Sequence, residues 1–195
     1  MRVNPLLPLT VLAFTGSVRA QSVEQTLKWA RENINNHAVT HHVEPPARAS
    51  GVKWQVERIE GCTVALKETD HRESADSVLK NGGVFGLDED KVVTWTFDLA
   101  ALLPQFVMAD TSAGTPHIKI FANGDVFHTR SETVSRAVRK DGSVESTQNW
   151  SGTGNARNLT IFFDSPTTDN KALVHRLEND LRDAVYQCAV RASTR

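Results

Sequence analysis

The stretch from Lys171 to Arg191 constrains the fold most, because it alone reads as one long amphipathic helix. Leu173, Leu177, Leu181, Ala184 and Cys188 recur at steps of three and four, and Val174 and Val185 widen the stripe. His175, Arg176, Glu178, Asn179, Asp180, Arg182 and Asp183 fill the opposite face. Such a helix cannot bury its stripe alone. Residues 51–164 read as short strands, so the partner expected for the stripe is a β-sheet.

From Val52 the apolar period falls to two: Trp54 and Val56, then Cys62, Val64 and Leu66 on one face, with Gly61 between as either a turn or a bulge. His71 to Gly83 is polar and ends in Asn81-Gly82-Gly83, which reads as a loop. Val93, Trp95 and Phe97 mark a further strand, and Asp98 caps a short helical turn that Pro104 stops. Asn123-Gly124 predicts a two-residue type I′ hairpin that pairs Ile120 with Phe127 and Ile118 with Thr129. Asp141-Gly142 predicts a second hairpin whose polar arms, Glu132–Lys140 and Ser143–Trp150, belong at the edge of the sheet or project from it. Ser151–Asn158 reads as a loop, and Leu159, Ile161 and Phe163 as the inward face of a last strand.

At the other end, Arg2, the apolar run Leu6–Phe14 and the small residues Val18 and Ala20 form a secretory signal pattern, with cleavage expected between Ala20 and Gln21. The run is too short for a spanning helix, which needs about 20 apolar residues. Ser22 and Gln25 then make a capping box, and Val23, Leu27, Ala30 and Ile34 predict a helix over 23–37, followed by a Pro45-Pro46 connector. The division expected is a signal over 1–20, the helix and connector over 21–50, and one sheet domain over 51–195. With 22 basic residues, two of them in the signal, against 23 acidic ones, the chain lacks the basic excess of a nucleic-acid binder.

The chain has two cysteines. In an exported protein they are expected to pair, and Cys62 with Cys188 is the single intramolecular connectivity. No CxxC redox motif is present.

Chemistry-bearing motifs are sparse. His37, His41 and His42 form the best histidine group for a metal, yet the connector begins there and no acidic ligand is fixed, so a solvated helix end is the expectation. His117 and His128 are expected on the outward face of the Asn123-Gly124 hairpin. Asp88, Glu89 and Asp90 lack calcium-loop spacing and read as a solvated turn. No G-x-S-x-G elbow is present, and Gly152-Thr153-Gly154 is too short for a phosphate loop. Arg130, Arg136, Arg139 and Lys140 cluster on the polar hairpin beside Trp150, where acidic residues interleave with them. Asn149 and Asn158 head glycosylation-type triplets.

In outline the mature chain resembles exported bacterial proteins of unknown function that carry a signal peptide, a short helix, a twisted antiparallel sheet and a closing C-terminal helix. The Gly61-Cys62 context and the late Cys188 look like the cysteine pair of those proteins. Strands closed by one C-terminal helix are also similar to the pleckstrin-homology-like architecture, from which the extra N-terminal helix departs. The resemblance implies no substrate and no catalytic residue.

The expectation is thus an α+β chain: about seven mostly antiparallel strands in a twisted sheet or partly open barrel, packed by the C-terminal helix, with an N-terminal helix added. The function expected is that of a non-enzymatic, disulfide-stapled domain, periplasmic or secreted, that binds a partner protein or small ligand without cofactor, metal or nucleic acid. The alternatives are a carrier of lipid or another apolar ligand, and a hydrolase whose residues meet only in three dimensions.

Overall fold

A computed structural model describes residues 22–42, 47–78, 84–112, 114–139, 141, 143–164 and 168–194. The expected signal, with Ala20 and Gln21, lies outside them. Helix α1 is Val23–His37, as the sequence predicts. Its capping box is complete: Ser22 Oγ accepts from the Gln25 amide, and the Gln25 side chain accepts from the Ser22 amide. Val23, Leu27, Ala30 and Ile34 are buried.

Nine strands follow, β1 Val39–His42, β2 Ala47–Glu60, β3 Thr63–Val78, β4 Val84–Asp98, β5 Val107–Asp110, β6 His117–Phe121, β7 Phe127–Arg139, β8 Val144–Ala156 and β9 Asn158–Phe162, before helix α2, Thr168–Ser193. They form two antiparallel sheets, one of six strands in the order β1-β2-β3-β4-β7-β8 and one of three in the order β5-β6-β9. The larger sheet is open. Two 3-10 turns, Leu99–Ala101 and Pro104–Phe106, link the sheets, and the first is capped by Asp98, whose side chain accepts from the Ala100 amide.

The core lies where one end of the large sheet meets the small sheet and both helices. Val64 pairs with Phe97 and Leu66 with Trp95, and the Phe97 and Phe127 rings meet edge to face at 5.0 Å. Ile118, Ile120, Leu159, Ile161 and Phe163 enter from the small sheet. Val174, Leu177, Leu181, Ala184, Val185 and Cys188 close it from α2. Each such aliphatic or aromatic side chain contributes about 1.5–3 kcal/mol on burial. Gln187 donates to Thr26, and the Arg176 guanidinium lies 3.8 Å over the Trp29 ring, so the helices also hold each other.

Gly61 is resolved as a turn. With Cys62 it makes the two-residue link between β2 and β3, at φ 59°, where a side chain would be strained. The bulge lies instead at Glu57, between Val56 and Arg58. Cys62 is bonded to Cys188, with Cα atoms 5.8 Å apart, so the disulfide ties the β2–β3 turn to the last turns of α2.

Four expectations fail locally. His71–Val78 is strand rather than loop, Asp88–Asp90 is strand rather than turn, and β8 runs on through Ser151–Ala156. These segments lack an apolar period of two because polar and charged residues occupy both phases of the alternation, so only pairing with neighbouring strands marks them as strand. Asn81-Gly83 lies outside the described residues. The Asn123-Gly124 hairpin is also corrected. Ile118 and Ile120 lie on β6, between β5 and β9, whereas Phe127 begins β7, between β4 and β8. All three are buried in the same core, but from two sheets, and Gly124 has φ 133°, away from the left-handed helical values a type I′ loop needs.

The disulfide closes a span of 126 residues. Replacing both Cys62 and Cys188 with Ser is expected to lower the unfolding free energy by up to about 4–5 kcal/mol, read from urea midpoints of the two proteins. The fold should persist, since Cys188 is the only core residue named above that changes, and serine is close to it in size.

Candidate functional site

The large sheet outruns its core. Beyond the Leu66–Trp95 pair, β3, β4, β7 and β8 continue together, and residues two apart on each strand share a face. One face of this extension carries, row by row, Lys67, Thr94 and Arg130; Thr69, Val92 and Glu132; His71, Asp90 and Val134; and Glu73, Asp88 and Arg136.

At the far rows the charges close into a network. His71 Nδ1 lies 2.7 Å from Asp90 Oδ1 and 3.6 Å from Asp88 Oδ1. Arg136 donates to Asp90 Oδ2 at 2.7 Å and stands 3.6 Å from Asp88 Oδ2. Glu73 lies 3.5 Å from His71 Nε2. The hydrogen bond to Asp90 raises the His71 pKa, and the hydrogen bonds from Arg136 and then His71 hold Asp90 below the usual carboxylate range.

His71, Asp88 and Asp90 offer three donor atoms within 4.8 Å of one another, the geometry of a cation site. The fit is poor as the side chains stand. Arg136 already supplies the positive charge, and the closest approach to Asp90 is taken by its guanidinium and by His71. The group is a cross-strand ion-pair network that joins β3, β4 and β7.

Toward the core the same face hollows into an open groove of about 500 Å³, lined among others by Glu57, Lys67, Thr94, Thr96, His128 and Arg130. Glu57 reaches it from β2, on the face of Gln55, which pairs with Lys67. His128 is held by Asn155, 2.8 Å away, and Arg130 by Glu132 at 3.1 Å. The groove offers donors and acceptors of both charges.

The other histidines stay apart. His37 and His41 are exposed, on α1 and β1, and the side chain of His42 is not among those described. His117, expected to face outward, is buried; its Nδ1 is 2.9 Å from the Thr115 carbonyl and its ring packs on Phe162 at 5.1 Å. It does lie on the outer face of the small sheet, opposite Ile118 and Ile120, and is buried there against its cross-strand neighbour Phe162. His175 lies near Thr111 and Glu178 on the surface of α2. Of the predicted arginine cluster, Arg130, Arg136 and Arg139 each meet an acid, Arg139 through Glu145, and Lys140 is outside the described residues. Trp150 is half exposed in mid-β8. Asn149 and Asn158 are both exposed on strands.

The His71–Asp88–Asp90–Arg136 network was not foreseeable as a unit, since its members are joined only by strand register. The one available signal is alternation: His71 with Glu73, and Asp88 with Asp90, are charged residues two apart. Compared with known proteins, the chain matches no family model, no curated protein and no solved structure.

The pKa directions fix a pH window. The His71 contribution is complete below its unfolded value of about 6.5 and is lost as the pH rises through its higher native value. That of Asp90 is complete above about 3.9 and is lost as the pH falls through its lower native value. Urea midpoints of the native chain and of His71→Gln should therefore differ most between about pH 4 and 6.5 and converge at alkaline pH. In Asp90→Asn the His71 titration, followed by NMR, should fall toward the ordinary imidazole value.

Proposed function

We propose that the chain is an exported, non-enzymatic binding module of the cell envelope that takes a polar partner, protein or small ligand, on the open face of its larger sheet. The observation that carries this reading is the extension of β3, β4, β7 and β8 beyond the core. Those rows bury little apolar surface, so hydrophobic burial does not account for them. What they add is a continuous field of hydroxyl, carboxylate, imidazole and guanidinium groups around a groove. The disulfide fits an oxidising compartment, in keeping with the signal pattern over residues 1–20, and no described helix is long and apolar enough to cross a membrane.

The carrier alternative finds less support. The apolar cavity in the core, among Leu27, Ile34, Leu66, Phe97, Ile161 and Leu181, holds about 20 Å³, and the Trp54 and Trp95 rings pack at 6.0 Å. Ligand pockets run to about 300–1,000 Å³. A hydrolase would need a nucleophile beside an oriented base. Among the described residues His71 alone has several carboxylates around it, and the group that joins them is Arg136.

The test compares the native chain with Thr94→Arg, which fills the groove floor without touching the core. Both are isolated from the source host and weighed under native and then denaturing conditions. A companion mass on the native chain that is absent from Thr94→Arg supports the reading. Turnover of ester, amide or glycoside test substrates that His71→Gln abolishes, with its fold intact, would replace this reading with the enzyme.

A further inference from the structure

The edges of the two sheets are treated very differently. Along β2 the outer edge is occupied: β1 pairs with Ser50–Lys53, the Trp54 amide donates to the Ala38 carbonyl at 2.8 Å, and the Val56 amide donates to Asn35 Oδ1 at 2.6 Å. In the small sheet the edge strands have four and five residues, and Arg182 donates to the Val107 carbonyl of β5. At the other side of the large sheet stands β8. It has 13 residues, is exposed over nearly its whole length, and among the described residues is paired with β7 alone.

An edge of this kind is normally guarded by lysine, proline or a bulge. β8 has no lysine and no proline, and its one bulge, at Glu145 between the Ala137–Ser146 and Val138–Val144 pairs, lies at one end, where that single charge is bonded to Arg139. The remainder is serine, threonine, asparagine, glutamine and glycine, with Val144 and Ala156 at the ends and one half-exposed tryptophan in the middle. About half of its backbone N–H and C=O groups point away from β7, as antiparallel geometry requires.

We infer that β8 is a dimerisation edge, pairing antiparallel with β8 of a second copy about a two-fold axis at Trp150. The choice of occupant follows from self-complementarity. This register spans Ser146–Gly154 of both copies, clear of the Glu145 bulge, and places the two Trp150 side chains opposite each other. Thr147 then faces Thr153, Gln148 faces Gly152, and the two Glu145 residues fall at opposite ends, so no like charges meet. The axis is perpendicular to the sheet, which puts the two polar grooves on the same side of one doubled sheet.

The experiment is sedimentation of the full mature chain, of Thr147→Lys/Thr153→Lys, and of Thr147→Glu/Thr153→Glu. These threonines are exposed on an edge strand, and circular dichroism confirms that each variant is folded. The native chain should sediment as a dimer. Each variant should be weakened by more than about tenfold in self-association, because like charges now face across the axis. Mixing the lysine and glutamate variants should restore the dimer, which a merely destabilised strand would not do. A native chain that stays monomeric to high-micromolar concentration, or a lysine variant that dimerises like the native chain, overturns the inference. So does a monomer that takes up an added extended peptide along β8, since the edge then belongs to a partner chain.

Discussion

The antiparallel backbone ladder running from β2 through β3, β4 and β7 to β8 is the constraint on which the remaining structure depends. Inside the core it is assisted by apolar packing, as at Val64, Leu66, Phe97 and Phe127. Beyond the core it carries side chains that bury little apolar surface, and cross-strand pairs such as His71 with Asp90 add to the backbone bonds. Each such pair is worth about 0.2–1 kcal/mol, small beside the burial of one leucine, so the extension owes its order to being continuous with strands already fixed by the core.

The disulfide and the helices fix those inner ends. Cys62 sits in the turn that starts the β2–β3 hairpin, and Cys188 anchors it to a helix whose apolar stripe closes the core. Helix α1 has a double role: its inward face completes the core, and at its C-terminal end Asn35 and Ala38 satisfy the outer amides of β2. One side of the sheet therefore ends in α1 and the four-residue β1, and the other in the 13-residue β8. The polar groove and the β8 edge are two consequences of that asymmetry.

Much of the inner fold is legible residue by residue. The stripe of α2, the capping box of α1, the Asp98 turn and the inward run Leu159-Ile161-Phe163 all face one hydrophobic interior, and burial imposes its period on sequence. The outer half of the sheet is not legible in that way. With both faces polar, a strand such as Asp70–Val78 has the composition of a loop, and only its neighbours make it a strand. The network of His71, Asp88, Asp90 and Arg136 went unseen for the same reason, and Glu57 joins the groove only through the pairing of β2 with β3.

What the sequence determined alone is whatever rests on local periodicity or on counting: the two helices, the inner strands, and a disulfide for which just two cysteines were available. Tertiary structure decided which strands pair. Ile120 and Phe127 flank a turn and share a core, yet join different sheets, because β6 meets its partners in β5 and β9 while β7 meets β4. Backbone hydrogen bonds are indifferent to side-chain identity, so pairing, and with it every surface that pairing assembles, is settled only when the whole chain is folded.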